Sequence, residues 1–459
     1  MIGATIVAFL FIRNRGEMSL APESHEAIRF GVTTNTTASN HLLSVLLALV
    51  VVIVAARLVG AAFRKMQQPP VVGEVVAGIM LGPSLLGRIA PGVSGFVLPT
   101  STAPALNTIA QVGVILFMFL VGLELDTSVL RQNSRSSVAI SHASIVAPFL
   151  LGSSLALWLY PRLSSRDVPF TYFALFMGVS MSVTAFPVLA RILTDRRMHR
   201  SRLGVVALTC AAIDDVTAWC LLAFVVSVVH AQGGHAVRTT ALTVGYIAMM
   251  FGLGRPLLLR LSRWRDRENA VSQSMLAVVL ISLLLSALAT EAIGIHALFG
   301  AFLLGALIPH DSNLARDTTA MLEHLVVVLF LPAFFAFTGM RTQIGLVSGG
   351  AQWAICGLII LVACAGKFGG TFVAARITGL GNRDAAALGI LMNTRGLMEL
   401  VVLNIGLDLR VISPTLFAML VIMAVTTTLL TTPVLHVLTR RHAEYGPVAD
   451  SAGHEHVAH

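Results

Sequence analysis

The chain has 459 residues, of which 56% are hydrophobic and only 12% charged. Soluble domains carry about 25% charged residues, so this composition excludes a water-soluble enzyme and describes an all-α, polytopic membrane protein. The net charge of +9 is spread over the loops, so no nucleic-acid partner is expected.

With about 20 apolar residues needed per crossing, thirteen segments qualify as transmembrane helices. They are 41–64, 71–87, 104–123, 137–160, 170–193, 202–229, 239–260, 271–290, 293–309, 321–340, 351–376, 384–407 and 414–438. Threading them alternately puts seventeen basic residues on the side of Arg64 and nine on the other. By the positive-inside rule the N-terminus is then outside and the C-terminus cytoplasmic. Residues 1–40 read as an N-terminal tail, since they lack the basic start and small-residue cleavage site of a signal peptide. Residues 439–459 read as a short cytoplasmic tail whose histidines (His442, His454, His456, His459) form no spaced metal motif. Cys210, Cys220, Cys356 and Cys364 lie in apolar segments without a CxxC pair and read as packing residues.

Segment 71–87 is glycine-rich (Gly73, Gly78, Gly82), which suits close helix packing, and Glu74 near its start reads as an interfacial acid. Glu124 and Asp126 fall at the inner edge of the third segment, where charge is cheap, and His142 in the fourth reads as a packing residue. The fifth segment, MGVSMSVTAFPVLARIL, is interrupted by Ser180, Ser182, Thr184 and Pro187. Pro187 removes a helical hydrogen bond and clashes with the carbonyl of Val183. The sixth carries adjacent acids, Asp214 and Asp215, in mid-span. A carboxylate at the bilayer centre costs roughly 2.5–3.5 kcal/mol, which marks a functional site.

The later segments echo the earlier ones. IGIHALFGAFLLGALIP (293–309) resembles VVGEVVAGIMLGP (71–83), and LFLPAFFAFTGMRT (329–342) resembles ILFMFLVGLELD (115–126). The pattern predicts two six-helix repeats, 41–230 and 271–438, joined by a linker helix over 238–261. A stride of seven spans inverts the second repeat, the plan of secondary transporters. The fifth segment should therefore have a broken counterpart in the twelfth. AAALGILMNTRGLMELVVLNIGL is interrupted there by Asn393, Thr394, Arg395 and Gly396, with Glu399 one turn on. Two crossed, discontinuous helices predict a binding site near the midplane. Lys367, deep in the eleventh segment, needs an acid partner because a buried charge left alone is costly. Pairing with one of the two aspartates leaves the other free for a cation. Adjacent helical residues diverge by about 100°, so the two acids address different neighbours.

SVTAFPVLARIL, the Asp-Asp pair, HALFGAFLLG, AGKFGGTF and NTRGLMELVVLNIG together resemble the monovalent cation:proton antiporter-2 family, over roughly residues 41–438. This family comprises bacterial Na⁺/H⁺ and K⁺/H⁺ exchangers, related to Kef-type and plant cation/H⁺ exchangers. The resemblance implies a Na⁺/H⁺ antiporter-like fold, a cytoplasmic-membrane location, a homodimer and no cofactor beyond the transported cation and protons. It implies that Asp215 binds the monovalent cation and the proton, that Asp214 pairs with Lys367, and that Thr184 lies on the unwound part of the crossing helix. Arg395 and Glu399 match charged positions of the second crossing helix. The Asp-Asp-Lys set implies electrogenic exchange of about two protons per cation. Kef-type and plant members carry a C-terminal cytosolic domain that this chain lacks, so nucleotide gating is not expected.

Other readings of two buried acids fit less well. An intramembrane aspartyl protease needs its acids on facing helices, and a cation channel would not place a lysine in the path. The alternative that shares the scaffold is a proton-coupled exporter of an organic solute.

Overall fold

A computed structural model of the chain describes residues 2–22, 41–125, 135–198, 201–230, 236–267 and 273–439. It is all-helical. The first repeat's region holds α2 (His41–Lys65), α3 (Pro70–Leu81), α4 (Ala103–Leu123), α5 (Arg135–Leu163), α6 (Phe170–Ser182), α7 (Phe186–Asp195) and α8 (Arg202–His230), preceded by α1 (Ile2–Gly16). Next come α9 (Ala236–Met249) and α10 (Arg255–Arg267), joined by a π-helical turn. The last stretch holds α11 (Gln273–Ile293), α12 (Ala297–Leu307), α13 (Asn313–Leu325), α14 (Leu331–Arg341), α15 (Gly349–Ile377), α16 (Asn382–Met392), α17 (Leu397–Asp408) and α18 (Pro414–Thr439).

Among the described residues eleven helices are long and apolar enough to cross a membrane, or twelve when α16 and α17, bent by 45°, count as one. Thirteen full-length spans are therefore not found. The segment expected over 293–309 forms only the 11 residues of α12. At 1.5 Å per residue that is about 16 Å, half the hydrocarbon thickness. Its start is cut by positive φ at Gly294 and His296, and its end by extended Ile308 before Pro309.

The helices sort into two packed groups. In one, α2, α3, α4, α11, α12 and α14 form a scaffold; in the other, α5 to α8 pack with α15 to α18. The scaffold rests on two reciprocal crossings. In α3 against α14, a Cβ on Gly78 would lie 2.1 Å from the Phe335 carbonyl oxygen, and one on Gly339 2.0 Å from that of Gly78. In α4 against α12, a Cβ on Gly122 would lie 2.4 Å from the Phe302 oxygen, and one on Gly305 2.3 Å from that of Phe119. Backbone meets backbone at both places, the small-residue packing that lipid-embedded helices favour. Glu74, expected at the interface, is instead buried on α3 next to Gly60 of α2, with Arg57 and Arg64 supplying positive charge.

Residues 2–16 of the expected tail form a helix. Helix α1 lies against α5 and α6: Phe9 meets Phe149 with ring centroids 5.8 Å apart, and Glu17 accepts from Arg13 and from the Thr171 hydroxyl. Asp126 and the four tail histidines lie outside the described residues.

Candidate functional site

The two broken spans meet in the second group. Helix α6 stops at Ser182, Val183 and Ala185 are extended, and α7 begins at Phe186 with Pro187 in its first turn, where a missing N–H costs nothing. The other span stops at Met392 and resumes at Leu397. The breaks touch: the Ala185 N–H donates to the Thr394 carbonyl at 3.0 Å, and the Thr184 hydroxyl reaches the Met392 carbonyl at 3.4 Å.

Stopping α6 leaves its last carbonyls without helical donors, at the negative end of a half-helix. Two cations take them. The Arg395 guanidinium donates to the Ser180 and Met181 carbonyls, both at 2.7 Å, and Lys367 Nζ donates to that of Ser182 at 2.6 Å. Arg395 also pairs with Glu399 at 2.8 Å, with both side chains fully buried. Its backbone is gripped by Thr428, whose hydroxyl accepts from the Arg395 N–H at 2.9 Å and donates to its carbonyl at 2.7 Å.

Asp214 is the acid that Lys367 meets, at 3.0 Å, with neither side chain exposed. Its carboxylate also accepts from Thr184 at 2.9 Å and from the hydroxyls of Ser141 and Ser144 on α5. Four donors thus offset the desolvation that a buried pair incurs. Asp215, one residue on, faces elsewhere. It is buried, its Oδ1 has no hydrogen-bond partner, and it lines a cavity of about 100 Å³ with Leu208 and Ala212 of its own helix, Phe186, Phe302 and Glu124. Such a space holds a few waters or a hydrated ion.

Of the remaining expected residues, Ser182 turns its hydroxyl to the carbonyls of Gly178 and Ile145, so its backbone and not its side chain meets Lys367. Asn393 donates to Cys364 Sγ at 3.4 Å and leaves its carbonyl oxygen unpartnered. His142 bonds the Val138 carbonyl of its own helix. Sequence reasoning missed Ser141, Ser144 and Thr428. A signal existed for the serines: positions i and i+3 put both hydroxyls on one face of an otherwise apolar span.

Away from the cavity, where α14 and α17 end, the scaffold is tied to the crossing group. Arg341 of α14 donates to Asp408 at 2.5 Å and to Asn404 at 3.1 Å, and Asn404 donates to Thr338 at 2.9 Å.

Two interrupted spans crossing in mid-bundle, with their loose ends pinned by buried charge, define the class of secondary transporters. The chain belongs to the sodium/hydrogen exchanger transmembrane family, whose signature matches residues 50–441. It is 44% identical over 381 residues to the Na(+)/H(+) antiporter NhaS4 of Synechocystis, covering 83% of this chain and 93% of that one. It is 38% identical to cation/H(+) antiporter 20 of Arabidopsis thaliana, covering 82% of this chain and 46% of the plant protein. It therefore spans about half the length of that plant relative. Among solved structures it resembles the sodium proton antiporter MjNhaP1 of Methanocaldococcus jannaschii with a TM-score of 0.57, covering 86% of this chain and 96% of that one. At 14% identity this is a likeness of fold.

Proposed function

We propose that the protein is a secondary active antiporter that exchanges a monovalent cation, Na⁺ or K⁺, for protons across the cytoplasmic membrane by alternating access. The observation that carries this reading is the Asp215 carboxylate, buried in an apolar span, with an unpartnered oxygen on a cavity of ion size. A carboxylate there holds either a proton or a hard cation, since oxygen ligands suit such ions. Competition between the two couples their gradients. Thr184 and Ser182 hold Asp214 and Lys367 at the crossing, and Asn393, Arg395 and Glu399 complete its polar lining.

Electrogenic exchange belongs to the same reading. The buried Asp214–Lys367 pair one residue from Asp215 supports exchange of about two protons per cation. One net charge moved through 100 mV is worth about 2.3 kcal/mol. The reciprocal glycine crossings and the paired breaks support an inverted duplication, 41–230 and 271–438 about a linker over 238–261. The loop arginines support an N-terminus outside and a C-terminus in the cytoplasm. A homodimer joined through scaffold helices completes the proposal. An organic solute gains no support from the cavity, since drug-sized ligands occupy about 300–1,000 Å³.

The test uses everted membrane vesicles carrying an imposed pH gradient, to which Na⁺, K⁺ or Li⁺ is added. Wild type collapses the gradient with one of these ions and Asp215→Asn does not. A folded, inserted protein that no monovalent cation engages would refute the reading.

A further inference from the structure

We propose that Glu124 is a transit carboxylate, the residue that passes cations between the cytoplasm and Asp215. This rests on the antiport reading and extends it. In the sequence Glu124 reads only as a cheap charge at a helix end. In the structure it caps α4, its N–H bonding the Leu120 carbonyl at 3.0 Å, and lines the same cavity as Asp215.

The composition of that cavity sets what an ion meets there. Its walls are apolar apart from Glu124, Asp215 and Thr209, and the Thr209 hydroxyl is spent on the Val205 carbonyl at 2.8 Å. Along α8 the lining residues Leu208, Ala212 and Asp215 recur on one face, over about 10 Å at 1.5 Å per residue. Among the described lining residues, an ion leaving water for this passage finds charge at Asp215, buried with a free oxygen, and at Glu124, exposed at the rim. Between them the desolvation of a bare cation is uncompensated. A carboxylate at the mouth divides that barrier and concentrates cations where the passage begins.

A second acid reinforces the field. Glu323 of α13 lies near enough for its charge to act on Glu124. Protein surrounds the Glu124 carboxyl on its inner side, and this desolvation, followed by the Glu323 charge, pushes its pKa upward. The passage opens toward the end of α8 that carries Arg202, the basic and hence cytoplasmic side, while the Arg341–Asp408 pair lies at the other end of the bundle.

The experiment compares wild type, Glu124→Gln and Glu124→Asp in vesicles of both orientations, reading the cation concentration that gives half-maximal collapse of the pH gradient. With the cytoplasmic face outward, Glu124→Gln raises that concentration about tenfold and Glu124→Asp restores it to within about twofold. With the opposite face outward, Glu124→Gln leaves it unchanged, and the variant melts in detergent at the wild-type temperature. Active wild type with an unaltered Glu124→Gln, or an equal rise from both faces, would overturn the assignment while leaving antiport standing. Wild type with no cation response in either orientation would overturn both.

Discussion

On one flank of α8, at mid-span, Asp214 is met by four donors from α5, the first helix break and α15, and has no exposed surface. One position later, about 100° round the helix, Asp215 turns an unpartnered oxygen to a cavity with mostly apolar walls. The same side chain at the same depth is thus fastened in one place and left open in the other. A fastened acid contributes structure and fixes the geometry of the crossing. An open one is costly to the fold and is retained only where something binds. On the antiport reading, the difference separates the residue that builds the site from the residue proposed to bind the ion.

The variant with the largest expected effect attacks the fastened side. Lys367→Met leaves Asp214 buried without its counter-charge, a loss of about 3–5 kcal/mol, read as a large fall in melting temperature in detergent. Adding Asp214→Asn to the same chain recovers most of the loss, so the two sites couple strongly in a double-mutant cycle. Independent effects would show that Lys367 does not fasten Asp214. Arg395→Met comes next. It strips the donors from the Ser180 and Met181 carbonyls and leaves Glu399 alone, at a cost of about 3 kcal/mol in the same measurement. Ser144→Ala removes one of four donors to a charged acceptor and costs about 1.5 kcal/mol. The smallest change in stability falls on the open side. Asp215→Asn alters the melting temperature by less than about 1 kcal/mol equivalent, since no hydrogen bond to its Oδ1 is lost, yet abolishes cation-dependent proton movement. A variant that both melts early and fails to transport would erase the distinction between the two acids.

Much of this arrangement is legible in the chain. Pro187 and the Asn393–Gly396 run announce the two breaks because proline and polar residues in mid-span remove helical hydrogen bonds that lipid cannot replace. Lys367 announces a buried pair for a similar reason, but its carbonyl partner at Ser182 follows from how α6 ends, which composition does not reveal. The number of crossings was harder, because hydropathy over 293–309 is that of a span while positive φ at Gly294 and His296 shortens the helix to 11 residues. Glu124 shows another limit. At the end of an apolar segment its charge costs little, so nothing in the sequence singles it out; only the cavity between the end of α4 and α8 sets it together with Asp215. Ser141 and Ser144 were visible as a face, but not what that face meets.

The scaffold crossings carry a consequence for anyone altering this protein. Gly78, Gly339, Gly122 and Gly305 have no room for even one methyl group, because the atom each would strike belongs to the opposing main chain and cannot rotate away. A substitution at any of them needs a compensating shift of two helices, which single-step mutagenesis does not provide. Gly357 and Gly369, within α15, meet nothing inside 4 Å, and alanine there gains about 1 kcal/mol of helix propensity. One residue type therefore marks both the positions that a stabilisation campaign must leave alone and those where it should begin.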